Sequence, residues 1–245
     1  ERSCQMPDRA AIITGASRGI GLAIAEALGE DGYALTVAAR KPEPLERAAE
    51  RLRDKGLEVE HVAANLVDEE GIRSVVARHR ERFGRLDVLV NNAGVGVGAA
   101  AAEQQAKYVD LQIDVNLRAM ILFYRECAEM LRAAAAEHRS ALVVNLSSLS
   151  GKSGQPWLSV YSATKAAVVA YTQAMNKELN SDGVKSVAFC PGFVDTDMSD
   201  FIKEHIDAAE MLRPQDIAEG VRFILRLSPA CVVPEIVFQR PGEAL

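Results

Sequence analysis

No stretch of about 18 residues is both apolar and free of charge, so the sequence offers no membrane-spanning helix. The opening "ERSCQM" has none of the apolar core of a secretory signal, and residues 1–8 are read as an N-terminal extension. Cysteines are few and scattered. Cys4, Cys127, Cys190 and Cys231 make no CxxC pair, which suits thiols in a reducing cytoplasm rather than a disulfide framework. The four histidines, His61, His79, His138 and His205, form no HxxxH or HxH group, so no metal site is expected. Basic residues are outnumbered, 28 Lys and Arg against 34 Asp and Glu, and the net charge of −6 argues against a phosphate-backbone binder. Single-sign charge blocks, internal repeats and Pro/Gly/Ser linkers are missing as well. What remains is one domain, residues 9–245, with 49% apolar residues to build its core.

That domain alternates in period. "AAIIT", "YALTVAA", "LEVEHVAA", "RLDVLVNNAG", "ALVVNLSS", "VKSVAFCPG" and "EIVFQ" are near-continuous apolar runs of strand length. Between them lie amphipathic stretches, with Leu45, Ala48, Ala49 and Leu52 on one face of the second and Ile72, Val75, Val76 and Phe83 on one face of the third. Gly32, Gly56 and Gly84 stand where left-handed helix stops belong. A long helix is expected from about Ala102 to Glu137, another from about Val160, and a last one opened by Pro214. Strands buried on both faces imply a Rossmann-like, doubly wound α/β fold with about seven parallel strands.

Thr14-Gly15-Ala16-Ser17-Arg18-Gly19-Ile20-Gly21 joins the first strand to the first helix. Glycines there let backbone approach a pyrophosphate whose charge sits at the helix N-terminus. About 20 residues on, an acid would pair with a ribose 2′-hydroxyl; the sequence has Ala39 and then Arg40. Arg18 and Arg40 together suit a 2′-phosphate, so NADP(H) is expected and NAD(H) ranks second. In "YSATK", Tyr161 and Lys165 sit at i and i+4 and share a helix face. Among the five tyrosines Tyr161 alone has a lysine at that offset. The ammonium is expected to lower the phenol's pKa toward the range where proton transfer is efficient.

With "TGASRGIG", "NNAG" at Asn91–Gly94, "YSATK" and "PGFVDT" at Pro191–Thr196 in this order, the chain resembles the short-chain dehydrogenase/reductase family from about Ala10 to Leu227. It is similar to the single-domain branch of 3-oxoacyl-carrier-protein reductases, hydroxysteroid dehydrogenases and carbonyl reductases. The resemblance implies Tyr161 as proton donor or acceptor, Lys165 as its partner and Ser148 as the carbonyl-polarising hydroxyl. It also implies Asn116 as the holder of a water-linked proton path. The implied cofactor set takes in Gly15, Ser17, Arg18, Gly19, Ile20, Gly21, Arg40, Asn65, Leu66, Asn92, Ala93, Gly94, Pro191, Gly192, Val194 and Thr196, besides Tyr161 and Lys165. Asn65 departs from the aspartate that many members place there, and the C-terminus lacks the frequent "VDGG" ending. Residues 195–212 are expected to form a substrate lid, with Met198, Phe201, Ile202, Ile206 and Met211 in an amphipathic pattern. The implied function is interconversion of a ketone and a secondary alcohol by a cytoplasmic homodimer or homotetramer. A catalytically idle NADP(H)-binding sensor or scaffold is the alternative.

Overall fold

Each apolar run becomes a strand of one sheet in the structure, a computed structural model that describes residues 7–242. Residues 1–6 and 243–245, and with them most of the expected N-terminal extension, lie outside the described residues. The strands are β1 (Ala10–Thr14), β2 (Ala34–Ala39), β3 (Val59–Ala63), β4 (Val88–Asn91), β5 (Ala141–Leu146), β6 (Val184–Pro191) and β7 (Glu235–Phe238). All pair in parallel, in the order β3-β2-β1-β4-β5-β6-β7. The order reverses between β1 and β4, and ligands of such sheets bind at the carboxyl ends beside that switch. β1, β2, β4, β5 and β6 are buried throughout, whereas edge strands β3 and β7 are only half-buried. Their position explains why "VEHVA" tolerates Glu60 and His61.

The helices are α1 (Gly19–Glu30), α2 (Pro42–Asp54), α3 (Glu69–Phe83), α4 (Ala106–Ile113), α5 (Ala119–His138), α6 (Ser159–Leu179) and α7 (Pro214–Leu225). α1, α2 and α7 cover one face of the sheet; α3, α5 and α6 cover the other. Neighbours Ile12 and Ile13 on β1 illustrate the alternation, Ile13 joining the first layer and Ile12 the second. Full burial of each contributes about 1.5–3 kcal/mol. Gly32, Gly56 and Gly84 all take the left-handed conformation expected after α1, α2 and α3.

The expected helix 102–137 is corrected at its start and in its middle. Ala101–Glu103 forms a separate 3-10 turn and α4 begins at Ala106. Alanine propensity loses here because Gln104 Nε2 donates to the Ala99 carbonyl at 3.0 Å and the Ala99 N–H donates to the Trp157 carbonyl at 2.9 Å. α4 then runs into α5 through a π-helical turn at Asp114–Arg118, a geometry common at functional sites.

A buried polar chain ties the second helical layer to the strands. Asn91 Nδ2 donates to Asn145 Oδ1 at 2.8 Å, and Asn145 Nδ2 donates to the Tyr124 hydroxyl at 2.8 Å and to Thr172 Oγ1 at 2.9 Å. Tyr124 donates on to Ser186 Oγ at 2.9 Å, while Asn176 brackets the Ser186 backbone from both sides. The register of α6 along the sheet is fixed by Thr172 and Asn176. That register aims Tyr161 and Lys165, at the other end of the helix.

Candidate active site

β1 ends at Thr14 and the chain turns at once into α1. Gly15 and Gly19 take φ of 67° and 58°, where a Cβ is strained. Space is short as well: a Cβ on Gly15 would meet Asn92 Nδ2 at 2.8 Å, and one on Gly21 would meet the same atom at 2.5 Å. Asn92 is held there by donating to the carbonyls of Thr14 and Gly15, at 2.9 and 3.1 Å. Thr14 Oγ1 accepts from the N–H groups of Asn92 and Ala93, each at 3.0 Å. The loop after β1 and the end of β4 are thereby locked together across the switch point. α1 starts with no side-chain cap and no acid in its first turn, so its N–H groups and positive dipole end are left for an anion. Bare glycine backbone, with Ser17 and Ile20 beside an uncapped helix start, fits a dinucleotide's pyrophosphate.

Around the far side of this cradle the structure gathers the residues of "NNAG" and "YSATK". Asn116, buried on the π turn, accepts from the Val95 N–H at 2.8 Å and donates to the Val95 carbonyl at 2.9 Å. Its second N–H goes to Thr164 Oγ1 at 3.1 Å. The amide therefore staples the loop after β4 to α6. Gly94 lies between Asn116 and Lys165: a Cβ there would be 3.4 Å from both Asn116 Oδ1 and Lys165 Nζ. Lys165, nearly fully buried, donates to the Leu146 carbonyl at the end of β5 at 2.7 Å. Its own carbonyl accepts from Ser147 Oγ at 2.7 Å, and Gly151 packs so closely that a Cβ would come within 2.7 Å of it. Ser148, in extended backbone, accepts from the Ser150 N–H at 3.1 Å and hydrogen-bonds the Tyr161 phenol.

Electrostatics here differ from the sequence expectation. Burial pushes the Tyr161 phenol above its ordinary value, with the Ser148 hydrogen bond opposing only part of the rise. Burial also lowers Lys165 to about 8. Lys165 Nζ stands 5.6 Å from the centroid of the Tyr161 ring. In the protein alone, desolvation dominates the phenol. The phenol is thus held protonated rather than made acidic.

The remaining expected cofactor residues fall into two groups. Pro191 ends β6, the Gly192 N–H donates to the Phe238 carbonyl at 2.9 Å, Val194 is buried, and Thr196 faces the glycine loop. A Cβ on Gly19 would meet Thr196 Cγ2 at 3.1 Å. Arg40 stands exposed directly after β2. Arg18 is also exposed but ion-paired with Asp197, which joins the glycine loop to residues 195–212. Asn65 spends an amide N–H on Asp68 at 2.8 Å, beside a buried Leu66. Segment 195–212 is closed at its base by the Asp195 N–H on the Leu212 carbonyl at 2.8 Å. Within it, the amphipathic pattern is carried by 3-10 turns at Asp197–Ile202 and Ala208–Glu210. Lys203 bridges Asp195 and Asp200 at 2.9 and 2.8 Å, and Asp207 accepts from the Ala209 N–H at 2.9 Å, so side chains stabilise tight turns. Met211 is buried, whereas Met198 and Phe201 face solvent.

Three contributors escaped sequence reasoning. Thr164 was visible as the fourth residue of "YSATK". Gln112, fully buried, accepts from the Val97 N–H at 3.1 Å, and a lone glutamine in a helix gives no advance signal. Trp157, exposed beside Gly98, lies in a loop without periodicity.

Comparison with known proteins places this arrangement. Residues 9–207 match the family described as short chain dehydrogenase. A 3-oxoacyl-[acyl-carrier-protein] reductase of Staphylococcus aureus is 34% identical over 226 residues, 88% of this chain and 90% of that protein. Among solved structures, a variant actinorhodin polyketide ketoreductase with NADPH superposes with a TM-score of 0.84 at 30% identity, covering 97% of both chains. A 3-ketoacyl-(acyl-carrier-protein) reductase from Brucella melitensis complexed with NADH gives 0.84 at 26% identity, over 96% of this chain and 97% of that one.

Proposed function

The chain belongs to the short-chain dehydrogenase/reductase family, and from that premise we propose that it is an NADP(H)-dependent oxidoreductase interconverting a ketone and a secondary alcohol. One observation carries the reading: Lys165 Nζ, beside the side-chain-free Gly94, stands 5.6 Å from the centroid of the Tyr161 ring, whose phenol Ser148 hydrogen-bonds, near the carboxyl ends of β4 and β5. When bound, the nicotinamide supplies hydride to the carbonyl carbon or takes it back. The glycine loop, Asn92–Gly94 and Thr196 would hold the dinucleotide. Arg40, with no acid at Ala39, would favour its 2′-phosphate; the NADPH held by the polyketide ketoreductase supports this choice, and the NADH held by the Brucella protein shows the family relatives are not uniform.

The protein's own share of the reaction is proton handling. Tyr161, kept protonated by burial, donates to the oxygen of a ketone as charge develops on it. Ser148 hydrogen-bonds the same oxygen, the kind of preorganised donor that stabilises a developing oxyanion. Lys165, anchored on the Leu146 carbonyl, has two further N–H donors for the cofactor ribose and the relay that refills Tyr161. Asn116 acts as a positioning residue, since its amide is engaged by Val95 and Thr164. In the cell we place the protein in the cytoplasm, as a homodimer or homotetramer. The test is an oxidation screen of NADPH, with NADH in parallel, over acetoacetyl thioesters, diketones, steroids and cyclic ketones. Faster NADPH oxidation with at least one ketone supports the reading; inert behaviour across the panel rejects it.

A further inference from the structure

Trp157 is the chain's single tryptophan, and it stands where an indole is costly to keep. It is 61% exposed, and its backbone sits at φ 68°, a region that bulky residues avoid. Among the described residues Arg139 is the other non-glycine at positive φ, and it closes α5, where that conformation is ordinary. Trp157 closes no helix. Its carbonyl is pinned by the Ala99 N–H at 2.9 Å. Its ring is seated on Gly98, where a Cβ would come within 2.5 Å of ring carbon. So the missing side chain at Gly98 makes room for the indole, and the two contacts hold it out of the core.

The exposed part of the indole borders a cleft of about 420 Å³ that Val97, Glu103, Gln105 and Tyr108 also line. That volume falls in the range of small-molecule sites. The cleft adjoins the proposed reaction site: a Cβ on neighbouring Gly96 would touch the Tyr161 ring at 3.4 Å. The Tyr108 ring already has the Lys107 ammonium over it at 4.7 Å. Trp157 is the aromatic surface left for a ligand.

We propose that Trp157 is the platform for the part of the substrate remote from the carbonyl, and that the substrate is a flat cyclic or aromatic ketone. The proposal rests on the ketone-reductase reading above. A planar ring covers an indole face in one offset stack, whereas a linear chain covers less of it and loses more rotamer freedom on binding. Trp157 selects between substrates; Tyr161 and Ser148 act on the carbonyl whichever is bound.

Steady-state kinetics with 1-tetralone and ethyl acetoacetate, both with NADPH, provide the test. The wild-type protein is expected to prefer 1-tetralone in kcat/KM. Trp157→Ala should cut that preference about tenfold through KM, a loss of stacking worth about 1.4 kcal/mol, and Trp157→Phe should restore most of it. Gly98→Ala, which pushes the ring off its seat, should act in the same direction as Trp157→Ala. An unchanged preference in Trp157→Ala overturns the platform and leaves the reductase reading standing. Emission of the single tryptophan gives a second readout independent of turnover. If no ketone oxidises NADPH, the reductase reading falls and emission alone decides. A saturable change on adding 1-tetralone supports the platform, and no change overturns it.

Discussion

At the scale of single residues, burial governs the chemistry. Lys165 is held near pKa 8 because little solvent reaches its ammonium. Its folded value is depressed, so the charged form is lost as pH rises through about 8. The kcat/KM for NADPH, which reports the free protein, should therefore show an alkaline limb with its midpoint near 8. Lys165→Arg, with a guanidinium that stays charged, should remove that limb from the measurable range even if the rate falls. The sequence made the pair legible through its one-turn spacing but misjudged the phenol, because spacing says nothing about how dry the surroundings are. Gly15, Gly19 and Gly21 were legible for a firmer reason: each position excludes a Cβ, two by strain and two by contact with Asn92. Trp157 was illegible as a functional candidate, since exposure and a positive φ leave no trace in a one-dimensional pattern.

Elements show where propensity yields to tertiary ties. The start of α4 was misplaced because the Ala99 N–H is tied to the Trp157 carbonyl, far away in sequence, while Gln104 closes locally on the Ala99 carbonyl. The amphipathic pattern of residues 195–212 forms 3-10 turns rather than a helix because Asp and Lys side chains stabilise tight turns as readily as a helix flank. The strands were read well because continuous burial writes a continuous apolar run. Within the second helical layer, Tyr124 is the joint between Asn145 and Ser186. Tyr124→Phe leaves a buried amide N–H without that acceptor and should cost about 1–3 kcal/mol, read as a lower midpoint in urea with an unchanged slope. Asn145 and Ser186 also hold Thr172 and Asn176 of α6, so loosening them should lower kcat in the same variant. On α3, in the same layer, His79 is sealed between Thr36 Oγ1 at 2.8 Å and the Arg85 carbonyl at 2.7 Å. Burial lowers it to about 4, below its ordinary 6.5. The unfolded chain then takes up a proton at a pH where the folded one does not, so stability falls on acidification between those values. Denaturation curves at pH 7 and pH 5 should differ by roughly 1–2 kcal/mol from this group, at about 1.4 kcal/mol per pH unit. His79→Gln should flatten the difference.

For the whole molecule, the parallel sheet brings the glycine loop and the end of β4 together at the switch point, where the proposed dinucleotide would sit and the surface charge would set which one binds. Arg40 stands exposed with no acid beside it at Ala39, while Arg18 must first leave Asp197. Arg40→Ala should raise the Kd for NADPH about tenfold by titration calorimetry while changing that for NADH much less. Equal weakening of both cofactors would place the phosphate elsewhere. The central claim is Tyr161 as the proton donor to a ketone. Tyr161→Phe removes one hydroxyl from a ring that stays in place, so NADPH should bind with its wild-type Kd while turnover of any ketone the wild type accepts drops on the order of 10³-fold. Turnover within a few fold of wild type, with NADPH bound normally, would contradict the account directly.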